Sequence, residues 1–241
     1  KDGGRRCSVV FDTPQDWSTA NWLQAIICGG PNNSILVVDN VSLERFDGST
    51  SVTAPISMND DPDEYNKIQL SQKAAECWTP GSEILITSNN EDWTAHQLAT
   101  IKSTDPESGT ITLTSNIDPV STLTSHPDYA VEIALLNRRI VFEAEDDDDD
   151  DLMGGHLIVF KTPNVIQHLE GVEIRNFGQQ GNLGRYPVHF HLCDSVFGSV
   201  VKKNVVRQSN QRCYVMHGSN GAVIEDNVAF DAFGHCYMTE D

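Results

Sequence analysis

Histidine, arginine and tyrosine recur at matched places in three short strings near the end of this 241-residue sequence. PVHFHL (187–192) carries His189 and His191, QRCYVM (211–216) carries Arg212 and Tyr214, and GHCYMT (234–239) carries His235 and Tyr237. Imidazole titrates near neutral pH and is the most usual general acid or base. A guanidinium presents a planar fork to a carboxylate. Tyrosine adds a phenolic proton and a flat ring for a sugar to lie on. The set suits binding of an acidic polysaccharide and proton transfer on it. His189, His191, His235, Tyr214 and Tyr237 are therefore the candidate catalytic groups, with Arg212 as the anchor for an anion.

Groups so far apart along the chain act together only if the fold stacks them. Residues 201–215 laid over 224–238 place Asn204 on Asn227, Val205 on Val228, Cys213 on Cys236 and Tyr214 on Tyr237, a constant offset of 23. A repeat of this length with β-rich content marks a solenoid, here a parallel β-helix. One further step at the same offset puts His189, Arg212 and His235 at one position of three successive rungs. Side chains alternate across a strand. Phe190, Leu192, Cys213, Val215, Cys236 and Met238 then point inward, and the histidines, Arg212, Tyr214 and Tyr237 form an outer face. Asn204 and Asn227 are expected to form a hydrogen-bonded ladder along the coil.

Other chemistry is weighed against this face. His-x-His on a strand is a metal-ligand spacing, but Arg212 between the rungs of His189 and His235 would repel a cation. The face is therefore assigned no metal and no cofactor. A glycosidase needs two carboxylates; Glu240 and Asp241 end the third rung, and Glu173 and Asp194 lie in earlier ones. Arg185, after the glycine-rich stretch 178–184, is placed to overhang the face. His217 begins the turn HGSNG and is read first as a backbone partner. His156 and His168 are read as structural, and Trp17, Trp22, Trp78 and Trp93 as core.

The elements needed to position this face read as short strands closed by Gly, Asn, Asp or Ser, with no helix of ten residues or more. Residues 1–65 form a β-rich segment of uncertain assignment, with runs at 7–11, 25–28 and 34–43. Residues 66–241 are assigned to the parallel β-helix, cut short at the C-terminus. Within them, 97–103 and 109–113 form a hairpin around Asp105-Pro106-Glu107-Ser108-Gly109. The fold class is all-β, a solenoid preceded by a smaller β-rich segment. A sequence that starts without Met and stops at Thr239-Glu240-Asp241 reads as a fragment of a longer protein.

The net charge of −19 argues against a nucleic-acid partner, which requires basic residues to neutralise phosphates. Glu143, Glu145 and the six aspartates 146–151 concentrate much of that charge in a self-repelling loop. Calcium is the one ion such a loop suggests. Six cysteines without CxxC disfavour a zinc ribbon. Cys213 and Cys236, one rung apart, are read either as a bridge or as stacked free thiols. The triplets at Asn32 and Asn40 are glycosylation sequons, in keeping with an extracellular glycoprotein.

GRYPVHFHLC (184–193), QRCYVMHGSNG (211–221) and GHCYMTED (234–241) resemble signature stretches of the family containing cell-migration-inducing hyaluronan-binding protein and transmembrane hyaluronidase, with fibrocystin-like relatives. Upstream, 78–88, 134–145, 154–160 and 168–180 follow the same order of motifs, so the likeness runs from about Ile68 to Asp241. The resemblance implies a right-handed parallel β-helix in a secreted or cell-surface protein. It implies binding of hyaluronan or a related glycan, with depolymerisation in some members. Carried over by position, the residues it implies are Arg185, His189, His191, Arg212, His217, His235, Glu240 and Asp241. Of these Arg185, Arg212, His217, Glu240 and Asp241 are assigned to substrate binding. The rival expectation is a non-catalytic surface or matrix protein of fibrocystin-like type, with other extracellular proteins as partners.

Overall fold

A computed structural model describes residues 51–53, 65–88, 94–118, 131–144 and 152–241. The described residues fall into two units, one within Phe46–Asn137 and one within Arg138–Asp241. The N-terminal runs, the sequons, the acidic run 146–151 and Trp17, Trp22 and Trp93 lie outside the described residues.

The first unit is a six-stranded antiparallel sheet. Its strands are β1 (Ser51–Thr53), β2 (Lys67–Gln69), β3 (Glu83–Ile86), β4 (Gln97–Asp105), β5 (Thr110–Leu113) and β6 (Glu132–Leu135), in the order β1-β6-β3-β4-β5-β2. One short helix, α1 (Gln72–Cys77), starts where the Ser71 hydroxyl accepts the Ala74 amide at 3.1 Å. Ile68, Ile84, Ile86, Ile101, Ile111, Leu113 and Ile133 form the core with Trp78, which is core as expected. The predicted hairpin is present: the Gly109 amide donates to the Asp105 carbonyl at 2.9 Å, with Gly109 at φ 75°. Sequence analysis began the parallel coil at residue 66, whereas parallel pairing begins only after residue 138. The reason is connection length. Four residues between β4 and β5 suffice for a hairpin, but a parallel return needs a crossover of a dozen or more.

From β7 onward every described strand pairing is parallel. The strands are β7 (Ile140–Glu143), β8 (Ile158–Phe160), β9 (His168–Glu170), β10 (Val172–Arg175), β11 (Val188–Ser195), β12 (Val200–Lys202), β13 (Val205–Ser209), β14 (Tyr214–Asn220), β15 (Val223–Glu225), β16 (Val228–Ala232) and β17 (Tyr237–Glu240). They make three sheets, β16-β13-β10-β7, β17-β14-β11-β8 and β15-β12-β9. The chain visits the three in fixed rotation, so each strand pairs with its counterpart one circuit later. Val172, Ile174, Val188, Phe190, Val201, Val206, Tyr214 and Met216 fill the core of this unit.

The bends recur at fixed register. Gly171, Lys203 and Asp226 all have positive φ and follow residues paired with one another. Asn176, Gln208 and Asp231 form a second such column, and Lys161, Leu192 and Gly218 a third. Left-handed backbone disfavours β-branched residues, and none occurs in these nine places. Asn204 and Asn227 follow the first column directly and form the expected ladder. Asn204 is fully buried; its Nδ2 donates to Asn227 Oδ1 at 2.9 Å and to the Leu169 carbonyl at 2.9 Å, and its Oδ1 accepts the Val172 amide at 3.1 Å.

Rung length is not constant. The offset is 32 between Ile174 and Val206, 26 between Val188 and Tyr214, and 23 between Val200 and Val223. The rung containing β11 therefore has six extra residues before that strand, one within it where the register shifts between His191 and Asp194, and two after it. This corrects the predicted register: His189 pairs with Val215, and Arg212 does not share its position. Because three is odd, the predicted inner and outer faces of β14 and β17 exchange.

One buried charge is compensated within this unit. Glu173 is fully buried; its Oε1 accepts Arg175 Nε at 2.6 Å and Arg207 Nε at 2.8 Å, and its Oε2 accepts the Arg138 amide at 3.0 Å. Replacing Glu173 with Ala strands those donors and is expected to cost roughly 3–5 kcal/mol. Asn204→Ala, which orphans the Val172 amide and the Leu169 carbonyl, is expected to cost roughly 2–4 kcal/mol. Denaturant unfolding followed by circular dichroism measures both; changes under about 0.5 kcal/mol, the range of ordinary surface substitutions, would refute the roles given to these residues.

Candidate functional site

In register, Phe160, His191, His217 and Glu240 form one straight column across β8, β11, β14 and β17. Adjacent members stand about 4.8 Å apart, the spacing of paired strands. The Phe160 ring stacks on His191, with centroids 5.4 Å apart and planes 5° from parallel. The next column along carries Ile158, His189, Val215 and Met238. His189 and His191 are two residues apart on one strand, so their side chains emerge on the same side. Their rings meet edge-on with centroids 4.9 Å apart, and His191 meets His217 at 4.5 Å. The histidine ligand atoms of 189, 191 and 217 lie within 4.8 Å of one another.

The six extra residues before β11 cover this cluster. Gly184 and Tyr186 belong to them, and His189 beneath is 1% exposed. His189 Nδ1 donates to the Gly184 carbonyl at 2.9 Å, which fixes its tautomer and leaves Nε2 as an acceptor. His191 Nδ1 faces that Nε2 at 3.3 Å and donates to it. Burial pushes the His189 pKa down to about 4, assisted by the neighbouring His191 and His217 and opposed by Gly184 and Glu240. His191 is also lowered, by burial, His217 and Lys161. At neutral pH both rings are uncharged.

Arg212 borders the cluster but is already matched. Its Nη1 is ion-paired with Glu240 and donates to the Tyr186 hydroxyl at 3.2 Å, while its Cζ lies 5.4 Å from the Tyr186 ring centroid. Gly234, in the GHC string, lets its rung pack closely on the Arg212 backbone, since a Cβ there would come within 2.7 Å of the Arg212 amide nitrogen. Arg185 is exposed and its Nη1 lies 2.7 Å from Nε2 of the buried His156. Lys161, exposed, has its Nζ 5.4 Å from the Phe160 centroid. Arg185 and Lys161 are thus the outward cations on this side.

Other predicted residues lie elsewhere. Tyr214 is 1% exposed in the core, its hydroxyl donating to the Val228 carbonyl at 3.3 Å; it stacks on Tyr237, whose hydroxyl donates to the Asn227 carbonyl at 2.7 Å. Both belong to the inner column of Val188, the consequence of the three-residue shift. His235 is exposed, precedes β17 and is outside the three-histidine group; its carbonyl accepts the Cys213 amide at 3.2 Å. Asp241 is exposed after β17, and Asp194 is exposed on β11. Glu173 is committed to its arginines. Cys213 and Cys236 are free, stacked thiols, with Cys236 lowered to about 7 chiefly by a hydrogen bond from Cys213.

Sequence reasoning read His217 first as a backbone partner in a turn and gave it to substrate binding only through the family resemblance, and it passed over Phe160, Lys161 and Tyr186. The HGSNG glycines suggested a turn, yet β14 (Tyr214–Asn220) runs through Gly218 and ends just before Gly221.

Comparison with known proteins fits this geometry. Residues 152–241 match the family model described as CEMIP beta-helix. The protein rliB of Dictyostelium discoideum is 33% identical over 182 residues, which covers 70% of this chain and 16% of that protein. A G8 domain-containing protein of the same organism is 40% identical over 115 residues, 47% of this chain and 8% of its own length. The human cell surface hyaluronidase CEMIP2 is 35% identical over 132 residues, 47% of this chain and 9% of its own length. The chain thus spans less than a fifth of these relatives. The signature strings, the rotating parallel sheets and these matches make the chain a relative of the CEMIP family through its β-helix region.

Proposed function

We propose that the described parallel sheets form a right-handed β-helix whose histidine face binds an acidic, hyaluronan-like polysaccharide and depolymerises it, in an extracellular or cell-surface setting. The observation that carries this reading is the column Phe160, His191, His217, Glu240, with His189 beside it and two exposed cations at its border. An extended glycan laid across the strands would meet a regular series of flat and polar groups. Lys161 and Arg185 supply charge for uronate carboxylates. His191, His217 and Glu240 supply hydrogen bonds to hydroxyls. Arg212 acts through Tyr186 and Glu240, which it holds in place, in preference to its sequence-assigned part as a free anion anchor.

The match to the CEMIP beta-helix model supports the glycan class, and the human relative's name supports depolymerisation as the reaction to assay. Neutral imidazoles at working pH support proton transfer on the bound sugar. Two local cations amid a net charge of −19 imply binding that depends on ionic strength.

Hyaluronan affinity of the chain is expected to fall about tenfold in His191→Ala, equivalent to ~1.4 kcal/mol. The double variant Lys161→Ala, Arg185→Ala is expected to lose affinity and most of its salt dependence. Calorimetry measures binding, and release of reducing ends measures cleavage. Equal affinity in all three proteins would reject the face as the binding site, and no reducing ends from the wild type would reject depolymerisation.

The buried neutral His189 sets a second expectation. Its folded pKa of about 4 lies below the ordinary 6.5, so the unfolded chain takes up the proton first. The stabilisation is full above pH 6.5 and is lost as pH falls toward 4. The melting temperature is expected to drop across that window, and to drop less steeply in His189→Gln. Identical slopes would contradict the assignment.

A further inference from the structure

We propose that His189, His191 and His217 form a binding site for a divalent transition-metal ion, with zinc as the ion to test. Two ligands come from one strand at spacing two, and the third from the paired strand at the position in register with His191. Sites on paired strands are held more precisely than sites on loops. The ligand nitrogens lie within 4.8 Å of one another, and His189 Nε2 and His191 Nδ1 are 3.3 Å apart. Two nitrogens each about 2.0–2.1 Å from a tetrahedral zinc stand at almost that separation.

A second observation concerns protons. His189 is buried, and its Nδ1–H is spent on the Gly184 carbonyl. The lone pair on Nε2 therefore points into the cluster. A backbone carbonyl that fixes the tautomer and orientation of a ligating histidine is the usual support of a metal site. His191 shifts to its other tautomer when its Nδ1 becomes a ligand, so it keeps its neutral charge.

The electrostatic objection raised by the sequence does not apply. Arg212 is not between the histidines; it is paired with Glu240 and stacked on Tyr186. Glu240, in register next to His217, brings a carboxylate to the same side. Lys161, next in sequence to Phe160, and Arg185 are the opposing charges, and both are exposed. An all-imidazole set selects zinc, copper, nickel or cobalt over calcium and magnesium, which prefer oxygen. Three protein ligands leave one position open. That position would take a water or a carboxylate oxygen, and the second option rests on the polysaccharide reading above; metal binding itself does not.

The whole chain, stripped with a chelator, is titrated with zinc chloride by calorimetry, and separately with cobalt(II) while visible absorption is recorded. The expected result is one equivalent bound and a tetrahedral-type cobalt spectrum. Affinity falls at least about tenfold in His191→Ala and in His217→Ala, the lower end of the loss seen when even a supporting residue is removed. Both residues are only half-buried, so these variants are expected to fold, which circular dichroism verifies; His189→Ala serves as a third variant if it folds. Calcium at millimolar concentration is not expected to compete. No bound equivalent, or affinity unchanged in both variants, overturns the site and assigns any binding to other groups. A hyaluronan titration with and without zinc separates the two readings. Zinc bound through the histidines with no hyaluronan binding keeps the metal site and removes the glycan; the reverse keeps the glycan and removes the metal.

Discussion

Parallel pairing at a fixed rung spacing is the constraint on which the rest of this unit depends. Every circuit must return the backbone to the same height relative to its neighbour, or the ladders of three sheets break together. Bends achieve this, and they are placed by backbone conformation. The three columns of left-handed residues, Gly171/Lys203/Asp226, Asn176/Gln208/Asp231 and Lys161/Leu192/Gly218, turn the chain at the same points of each circuit. Asn204 and Asn227 then satisfy the amides and carbonyls that the first of these bends takes out of the sheet. The alignment of His191 over His217 and Glu240 is a by-product of the same return.

Two clusters of polar groups in this unit are built to opposite ends. Around Glu173 the carboxylate accepts from Arg175, Arg207 and the Arg138 amide and is sealed from solvent. Such a cluster is inert because any exchange of partner would leave a buried charge uncompensated. Around His189 the arrangement is incomplete by comparison. One buried imidazole is fixed by a carbonyl and accepts a hydrogen bond from the half-buried His191, and the half-buried His217 leans toward the same point. Arg212 lies between these extremes, tied to Glu240 and Tyr186, so it supports the face rather than projecting from it.

The repeat was legible because chemically distinctive residues mark it: Asn204 and Asn227, Cys213 and Cys236, and Tyr214 and Tyr237 lie at one offset. From those pairs the stacked strands and the asparagine ladder follow. The face of each strand was not legible one rung earlier. Three residues inserted between His191 and Val200 carry no signal of their own, yet an odd insertion exchanges inside for outside. That single slip placed Tyr214 on the surface, where the structure buries it, and hid the pairing of His191 with His217; Tyr237, in the same column as Tyr214, is exposed. Chemistry-bearing residue types survived it, since His189, His191 and Arg212 do lie together. The hairpin of β4 and β5 before residue 138 was visible in the sequence, whereas the short β1 and β2 were not. Separation of the antiparallel unit from the coil was not legible either, because a short apolar strand looks alike in either pairing and only the lengths of its connections distinguish the two.

The rung that carries β11 is longer than its successor mainly by the loop before that strand. Additional residues there leave the ladders above and below untouched, because the chain resumes the same height at Val188. Connecting segments of this kind tolerate change that paired backbone does not. The stretch around Gly184 and Tyr186 is thus a module that evolution or design can exchange, altering the roof over an imidazole pocket without disturbing the walls that hold it.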